Sequence, residues 1–313
     1  MAGPSALANP RAERVKAVRR LSRRVGRERA GRFMAEGPQA VREAIAAHAA
    51  LPGTVVHDVF VTESAAQRYA GELALAQTAG LTPVHVTDEV LAAMTDTVAP
   101  QGLLAICASV GRGLDEVLDG LVPTLVAVLV HVRDPGNAGT VLRAADAAGA
   151  DAVVLSRDSV DVHNPKCVRS TAGSIFHLPV VQGVPVADAV AALRAHGMVV
   201  LAADGDGDTD LDDLLDDVDR SAHWGEVDPS AREGAGMGPV ALLARPTAWL
   251  FGNEAWGLDP AYRALADAVV RVPIHGRAES LNLATAATVC LYASARAHRA
   301  PGPTLGYRRE KPK

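Results

Sequence analysis

The sequence has few cysteines and no long apolar run. The 313 residues include three cysteines, Cys107, Cys167 and Cys290, which lie far apart and form no C-x-x-C pair. This spacing argues against a zinc site and against a disulfide framework. The longest apolar run, residues 121–132, is too short to cross a bilayer, and the first residues are too polar and arginine-rich for a signal peptide. We therefore expect a cytoplasmic protein with no metal site and no membrane segment.

Two nucleotide-binding fingerprints are also missing. The stretch that follows the predicted strand at 124–132 contains no G-x-G-x-x-G, and no lysine follows Gly139 to complete a phosphate-binding loop. A dinucleotide-dependent oxidoreductase should also carry an acidic ribose ligand at the end of its second strand, and none is present. These absences argue against that class of enzyme.

Charge is distributed unevenly along a chain whose net charge is −5. Residues 1–32 hold ten Lys or Arg against two Glu, and the tail from residue 296 holds six against one. Basic termini favour contact with a polyanion, because each neutralised phosphate releases counterions. A solvated extension would have the same composition, so both interpretations stay open. We predict a basic arm at 1–20 and a basic tail at 301–313.

The acidic counterpart is the stretch 204–219, which holds nine aspartates and no basic residue. A calcium loop opening at Asp204 would need glycine at its sixth position and a carboxylate at its twelfth, but Thr209 and Leu215 occupy them. We therefore predict an acidic insert, residues 204–246, that forms a solvated excursion on the surface.

The hydrophobic pattern indicates two domains. Nearly half of the residues are hydrophobic, which is enough for a sizeable core. Residues 21–108 combine short strands with an amphipathic helix from Pro38 and predict a small α/β domain, and residues 109–123 predict a linker or short helix. Between 124 and 300, apolar strands alternate with helices, which is typical of a parallel sheet covered on both faces.

Polar side chains follow three of the predicted strands, where ligands usually bind in open α/β sheets. Asn137 can cap the helix predicted over 138–148, and Arg143 lies among apolar neighbours on that helix, where it needs an anionic partner. Gly252 ends a buried strand and would let a ligand approach the backbone, and Glu254 follows at the same rim, where it could also serve as a helix cap or an ion-pairing carboxylate.

The third polar loop leads into the last helix through Ser280-Leu281-Asn282-Leu283. Ser280 fits an N-cap position. Asn282 would then lie inside a helix rich in leucine and alanine, and Leu283 stands where a capping box requires Glu or Gln. We therefore expect Asn282 to have a partner other than its own helix end.

Together these loops resemble the SpoU branch, also called the TrmH family, of the SPOUT RNA methyltransferases. The segments NAGTVLRAADAAGAD, LFGNEAWGL and VPIHGRAESLNLATAATVCLY are similar to the three family motifs, in order, over residues 125–297. The segments GRFMAEGPQAVREAI and APQGLLAICA resemble the substrate-binding domain often fused to this catalytic domain, itself similar to a ribosomal-protein fold that binds RNA. The basic arm and the acidic insert lie outside the resemblance.

The resemblance implies an S-adenosylmethionine-dependent 2′-O-ribose methyltransferase that acts on structured RNA. It implies a parallel sheet flanked by helices, with a trefoil knot in its C-terminal part, and a homodimer with the last helix in the interface. Ribosomal RNA is the favoured substrate and transfer RNA the alternative. A non-catalytic RNA-binding module is a further alternative, although it gives no reason for a polar rim on three loops.

The family motifs also imply roles for individual residues. A catalytic rim is implied at Asn137, Arg143, Glu254, Ser280 and Asn282. Cofactor contacts are implied around Gly252, Val272, Ile274, Leu281 and Leu283. In the basic N-terminal region, RNA contacts are expected at Arg19, Arg20, Arg23 and Arg24. Arg169 follows another strand and could contact RNA, with a structural role as an equal alternative. Because a guanidinium does not deprotonate in proteins, we interpret Arg143 as a phosphate clamp that also stabilises alkoxide charge, while another group accepts the proton.

Overall fold

The computed structural model describes residues 6–51, 53–227 and 241–299, and for residues 222–227 it describes the backbone alone. In these ranges the chain forms two α/β domains joined by a short helix. The predicted basic tail, 301–313, lies outside the described residues, as does part of the acidic insert, 228–240.

The N-terminal domain is a four-stranded sheet with helices packed around it. Its elements are α1 (Glu13–Arg20), α2 (Arg24–Ala30), β1 (Arg32–Glu36), α3 (Pro38–Ala50), β2 (Val56–Thr62), α4 (Glu63–Arg68), α5 (Ala70–Thr78), β3 (Val84–Val86), α6 (Asp88–Met94) and β4 (Leu103–Ala108). The strand order is β1-β4-β2-β3. Strand β4 runs antiparallel to both β1 and β2, whereas β3 is parallel to β2.

Helix α1 lies inside the stretch predicted as a basic arm. Its apolar residues Val15 and Val18 are buried, as is Leu21, in a cluster with Met34 and Phe60 of the sheet. The spacing of three residues places these side chains on one face of the helix. The arm is therefore part of the N-terminal domain from α1 onward rather than a solvated extension.

The second domain begins after the connecting helix α7 (Leu114–Asp119). Its elements are β5 (Leu125–Leu129), α8 (Pro135–Ala148), β6 (Ala152–Ser156), α9 (Pro165–Thr171), β7 (Val180–Val184), α10 (Val186–Ala195), β8 (Val199–Ala203), β9 (Thr209–Asp210), α11 (Leu211–Val227), β10 (Thr247–Phe251), α12 (Pro260–Arg263), β11 (Ala268–Arg271) and α13 (Leu283–Ala297). The described part of this domain also contains the 3₁₀ turns Ser174–Phe176 and Leu242–Ala244.

The second sheet is parallel throughout and is covered on both faces, as predicted. Its order is β7-β6-β5-β10-β8-β11-β9, and every neighbouring pair is parallel. Alternate residues of β5 enter two different cores: Leu125 and Leu129 pack with α8 and α13, whereas Val126 and Val128 pack with α10. A buried hydrogen bond of 2.9 Å from Trp249 Nε1 to Ser294 Oγ fixes α13 on the sheet.

The acidic insert is more ordered than the sequence predicted. Strand β9 adds to the edge of the sheet, and the first turns of α11 bury Leu211, Leu214 and Val218. These apolar residues recur at helical spacing, so the aspartates between them form the solvated face of an amphipathic helix. The prediction of a surface excursion is therefore wrong for residues 209–221, whose side chains are described.

A buried ion pair joins the two domains. Arg27 of α2 is 3% exposed, and its guanidinium donates to Asp161 Oδ2 through Nε at 2.8 Å and Nη2 at 2.6 Å. Its Nη1 donates to the carbonyls of Leu21 and Ser22, both at 3.0 Å. The pKa of Asp161 is raised by burial, but hydrogen bonds from His163 and Arg27 outweigh burial and hold it well below the usual value.

A second, more exposed contact lies at the same interface. His177 is placed between Asp146 of α8, at 2.8 Å from Nδ1, and Glu43 of α3, at 3.3 Å from Nε2. Burial lowers the pKa of His177, but these two carboxylates outweigh burial and raise it above the ordinary value. The His177 imidazole therefore links the N-terminal domain to α8 and is protonated more readily than a free histidine.

None of the helices in the described part of the chain is long and apolar enough to cross a membrane. Within the same ranges, no group of three or more His, Cys, Asp or Glu side chains is arranged to hold a metal ion.

Candidate active site

Three loops meet at the carboxyl edge of the parallel sheet. They follow β5, β10 and β11, and they correspond to the three polar stretches found in the sequence. Because parallel strands all end at one edge, side chains that are distant in sequence come together there.

The first loop leads into α8 through Asp134, which is the N-cap residue. Its Oδ1 accepts a hydrogen bond of 2.8 Å from the backbone N–H of Asn137, and Pro135 is the first helical residue. Lys166 Nζ donates to Asp134 Oδ2 at 2.9 Å, and this bond, with that from Asn137, holds the pKa of Asp134 below its usual value. The predicted capping role of Asn137 and the predicted helix start at 138 are therefore wrong. Because Asp134 caps the helix, the side chain of Asn137 can form other hydrogen bonds.

Hydrogen bonds between side chains connect the three loops. Asn137 Nδ2 donates to Glu254 Oε1 at 3.0 Å, and Asn282 Nδ2 donates to Asn137 Oδ1 at 3.1 Å. The structure thus brings together three of the five residues predicted for the catalytic rim. The two bonds also fix the orientation of both amides.

The last helix begins at Asn282 rather than at Ser280. Asn282 Oδ1 accepts a hydrogen bond of 2.9 Å from the backbone N–H of Ala284, so Asn282 is the N-cap of α13. The prediction of a Ser280 cap is wrong, and Asn282 does bond its own helix end. Its amide nitrogen nevertheless also binds Asn137. Ser280 is exposed and makes no side-chain hydrogen bond to any residue that the structure describes.

The loop after β10 is a closed turn held by Asn253, a residue that the sequence prediction missed. Asn253 and Gly257 exchange two backbone hydrogen bonds of 2.9 Å, and Asn253 Nδ2 donates to the carbonyl of His131 at 2.7 Å. Gly257 has φ +66°, which favours glycine. Asn253 is 6% exposed. The signal in the sequence was its position, directly after the apolar strand that ends at Gly252.

Gly252 is required by this turn. A Cβ at Gly252 would lie 2.4 Å from the backbone carbon of Gly257 and 2.6 Å from the nitrogen of Leu258. The sequence interpretation gave a different reason, the approach of a ligand to the backbone. The local packing of the chain already excludes a larger residue there.

The connected side chains keep unused hydrogen-bonding capacity. Each amide nitrogen carries two hydrogens. Asn137 and Asn282 each use one of them within the network. Glu254 is exposed, and its second carboxylate oxygen has no partner among residues 6–51, 53–227 and 241–299. The rim therefore offers fixed donors and an acceptor to a ligand rich in hydroxyl groups.

Arg143 lies further along the exposed side of α8. Thr140 is three positions after Asn137, and Arg143 is three positions after Thr140, so the three are successive neighbours along the helix surface. Arg143 is exposed, and its guanidinium forms no hydrogen bond or ion pair within the described ranges. The anionic partner that the sequence analysis required is therefore absent from its described surroundings.

A cavity of about 310 Å³ opens between α8 and α13 beside the rim. Its lining residues are Asn137, Thr140, Asn282, Ala284, Thr285, Thr288 and Val289. The wall of this cavity is mostly apolar, and the amides of Asn137 and Asn282 supply polar groups on it.

The residues predicted to contact the cofactor lie around the loop after β11. That strand ends at Arg271, so Val272 and Ile274 belong to the loop rather than to the predicted strand. Val272 and Leu283 pack partly against the core, Ile274 is 37% exposed, and Leu281 is half-buried. Residues 273–281 make no backbone hydrogen bond with any described residue.

The arginines predicted to contact RNA differ in their surroundings. Arg169 Nη1 contacts Glu36 Oε1 of the N-terminal domain at 3.4 Å. Arg19 bonds the carbonyl of Thr95 and the carboxylate of Asp96. Arg24 pairs with Glu28 at 2.7 Å. The exposed side chains of Arg20 and Arg23 form no hydrogen bond or ion pair in the described part of the chain.

The fold is an α/β domain with a hydrogen-bonded polar rim beyond the ends of its parallel strands. Residues 124–292 match the model of the SpoU rRNA Methylase family, and residues 12–105 match the MRM3-like substrate binding domain. The chain belongs to the SpoU rRNA methylase family. This confirms the resemblance seen in the three sequence motifs.

Individual proteins support the assignment over almost the whole chain. The chain is 31% identical over 281 residues to the 23S rRNA (guanosine(2553)-2′-O)-methyltransferase RlmP of Bacillus subtilis, covering 90% of this chain and 95% of that protein. It is 38% identical over 168 residues to the 23S rRNA (uridine(2479)-2′-O)-methyltransferase of Streptomyces viridochromogenes, covering 52% and 49%.

A solved structure shows the same architecture. The SpoU methyltransferase AviRb from Streptomyces viridochromogenes, in complex with the cofactor AdoMet, superposes with a TM-score of 0.70 at 29% identity. The superposition covers 91% of this chain and 98% of that chain.

Proposed function

We propose that this protein transfers a methyl group from S-adenosylmethionine to the 2′-hydroxyl of a ribose in ribosomal RNA, in the cytoplasm. The observation that carries the proposal is the hydrogen-bonded row Asn282–Asn137–Glu254, which connects the three family motifs at one edge of the sheet. Relatives named as 23S rRNA 2′-O-methyltransferases favour ribosomal over transfer RNA as the substrate.

The residues of the loop after β11 fit the cofactor. An adenine ring needs apolar side chains on its faces and backbone polar groups at its edge. Ile274 and Leu281 supply partly exposed apolar surface. The backbone of 273–281 has donors and acceptors that bond no other backbone group among the described residues. Val272, Leu283 and the backbone at Gly252 would complete the pocket. When bound, the cofactor supplies a strongly electrophilic methyl group on a sulfonium.

The rim would position the ribose. The free amide hydrogens of Asn137 and Asn282 can donate to ribose hydroxyls, the Glu254 carboxylate can accept from one, and Ser280 adds a hydroxyl at the same edge. Alignment of a hydroxyl with a reactive carbon is itself a large contribution to rate. The fixed amide orientations therefore serve catalysis directly.

Arg143 would bind the phosphate next to the reacting ribose. Its guanidinium has no described partner, it presents a planar fork that matches phosphate geometry, and it stays charged throughout. In this position it also stabilises negative charge that develops on the 2′-oxygen. The proton passes to the phosphate or to another group, because arginine does not accept it.

The N-terminal domain would hold the RNA substrate. We propose that it adopts the ribosomal-protein-like fold expected from the sequence and that Arg20 and Arg23, exposed and unpaired within the described residues, contact phosphates. Arg19 and Arg24 would have to exchange their present carboxylate partners for phosphate. Arg169 is bound to Glu36 at the domain interface and is a weaker candidate.

We also propose a knotted catalytic domain. Strand β10 lies between β5 and β8, and β8 lies between β10 and β11, so the chain returns repeatedly to the middle of the sheet. The final helix α13 then packs back beside α8. This order is compatible with the trefoil that the resemblance implies, although chains rarely thread themselves.

A homodimer through α13 is the proposed assembly. Val289 and Tyr292 lie three residues apart on this helix and are 40% and 50% exposed. Two such side chains form one apolar face. Light scattering should give twice the mass of the chain, and Tyr292→Asp should shift it toward a monomer.

The function is tested by binding and by mapping. Calorimetry with S-adenosylmethionine should show saturable binding, and 2′-O-methyl mapping of ribosomal RNA from a deletion strain should lack one modification. Purified protein should restore that modification on the unmethylated RNA. If it binds RNA but neither binds the cofactor nor restores any 2′-O-methyl group, the chain is a non-catalytic RNA-binding protein.

A further inference from the structure

Trp256 lies exposed at the tip of the loop that carries Glu254. Its side chain is 55% exposed, whereas Trp249 in the preceding strand is fully buried. A single exposed apolar residue is ordinary in a soluble protein. Trp256, however, lies two residues after Glu254, which belongs to the rim. Its exposed ring is therefore placed near the candidate site.

The loop holds Trp256 in a fixed position. The paired backbone hydrogen bonds between Asn253 and Gly257 close the turn at both ends, and Asn253 Nδ2 ties it to His131. Ala255 N–H also donates to Asn253 Oδ1 at 2.9 Å. Because the backbone of this turn is already ordered, little backbone conformational entropy is lost when a ligand binds to Trp256.

Arg133 covers part of the Trp256 ring. Its guanidinium carbon lies 5.2 Å from the ring centroid, within the distance at which a cation interacts with an aromatic face. Arg133 is exposed and forms no ion pair with a carboxylate in the described ranges. It therefore brings an uncompensated positive charge to the same tip.

An exposed aromatic ring beside an unpaired cation suits a particular ligand. Unpaired RNA bases stack on aromatic and guanidinium planes, and the phosphates that connect them bind cations. A paired duplex offers phosphates but no free base face, because its bases are already stacked. The charge of Arg133 also makes a purely apolar protein partner a poorer match.

We propose that Trp256 and Arg133 form a stacking platform for an unpaired base of the RNA substrate, with Arg133 contacting a phosphate of the same strand. The proposal rests on the proposed function, since Trp256 is placed beside the rim that would hold the ribose. The platform selects a nucleotide that is extruded or in a loop. It sets the geometry of the RNA that is accepted without reading the identity of the base.

The test compares Trp256→Ala with Trp256→Phe, which keeps an aromatic ring. Filter binding with an unmethylated 23S ribosomal RNA transcript should show Kd raised about tenfold for Trp256→Ala and changed less than about threefold for Trp256→Phe. Val122→Ala is the control, because it removes an apolar side chain that is 65% exposed at the opposite edge of the sheet. It should bind RNA like the wild type.

Three other results would overturn the platform. Trp256→Ala could bind RNA like the wild type. It could instead lose affinity for S-adenosylmethionine, in which case the ring covers the cofactor, or it could change the mass measured by light scattering, in which case the ring contacts a second copy. Because RNA binding is measured without methyl transfer, an inactive wild type would count against the proposed function and would leave this test intact.

Discussion

Two arginines of this chain have opposite surroundings. Arg27 is buried at the joint between the domains, where it makes four hydrogen bonds to a carboxylate and two carbonyls. The Arg143 side chain is exposed near the polar rim and has no such partner among the described residues. A guanidinium whose donors are mostly occupied within the protein stabilises the fold, whereas one with free donors is available to a ligand.

The same contrast separates the two regions as a whole. At the joint, His163 also contacts Asp161, so the Asp161 carboxylate lies between the Arg27 guanidinium and the His163 imidazole. At the rim, Asn137, Glu254 and Asn282 bond one another but keep donors and acceptors free. The comparison predicts that substitutions at the joint change stability first and that substitutions at the rim change activity first.

The largest expected loss of stability follows Arg27→Ala. The substitution leaves Asp161 charged and nearly buried, which should lower the free energy of unfolding by about 3–5 kcal/mol. Arg24→Ala is the matched control on the same helix, because its pair with Glu28 is exposed and should contribute about 0–1 kcal/mol. Urea unfolding measures both. If the two variants lost equal free energy of unfolding, the buried pair would stabilise the protein no more than the exposed pair, contrary to this prediction.

A smaller effect is expected at Asn282, which is both a helix cap and a member of the rim. Asn282→Ala should cost about 1 kcal/mol through the lost cap and should also reduce methyl transfer. Asn282→Ser can still cap α13 but cannot reach Asn137 with an amide. It should therefore keep the wild-type melting temperature and lose activity. Full activity of Asn282→Ser would show that the bond to Asn137 is dispensable.

The smallest effect is expected at His177 and depends on pH. Because the folded pKa of His177 is raised, its contribution to stability is complete below the unfolded value of about 6.5 and is lost as pH rises through the folded pKa. The side chain is 40% exposed, so the contribution should stay below about 1 kcal/mol. Two carboxylates face His177, those of Glu43 and Asp146, and Glu43 also pairs with Arg42.

Unfolding of His177→Gln between pH 6 and pH 9 checks this prediction. The difference in unfolding free energy between wild type and variant should shrink as pH rises. A difference that grows with pH would contradict a raised pKa of His177 at the interface.

The sequence predicted the parallel sheet and the three loops because their signals are local. Strands such as β5 and β10 are continuous apolar runs, and each motif lies within a few residues of a strand end. Helices α1 and α11 were missed although they carry apolar residues at helical spacing. Dense arginine in one and dense aspartate in the other masked the pattern of residues such as Val15 and Leu214.

Contacts between distant residues could not be predicted from local patterns. The pairing of Arg27 with Asp161 spans 134 positions, and the bond between Asn137 and Asn282 spans 145. The N-cap residues were predicted wrongly for a different reason. Each helix start has two nearby polar residues that could cap it: Asp134 or Asn137 for α8, and Ser280 or Asn282 for α13. Which of the two caps the helix depends on where the helix begins, and the local sequence does not determine that.

The most direct test of the catalytic rim is the rate of methyl transfer by Arg143→Lys at saturating RNA and cofactor. The substitution keeps the charge and removes the planar fork, so kcat should fall about 100-fold or more with an unchanged melting temperature. Arg245→Lys, exposed at the opposite edge of the sheet, should keep the wild-type rate. An Arg143→Lys enzyme with the wild-type kcat would contradict the role given to Arg143.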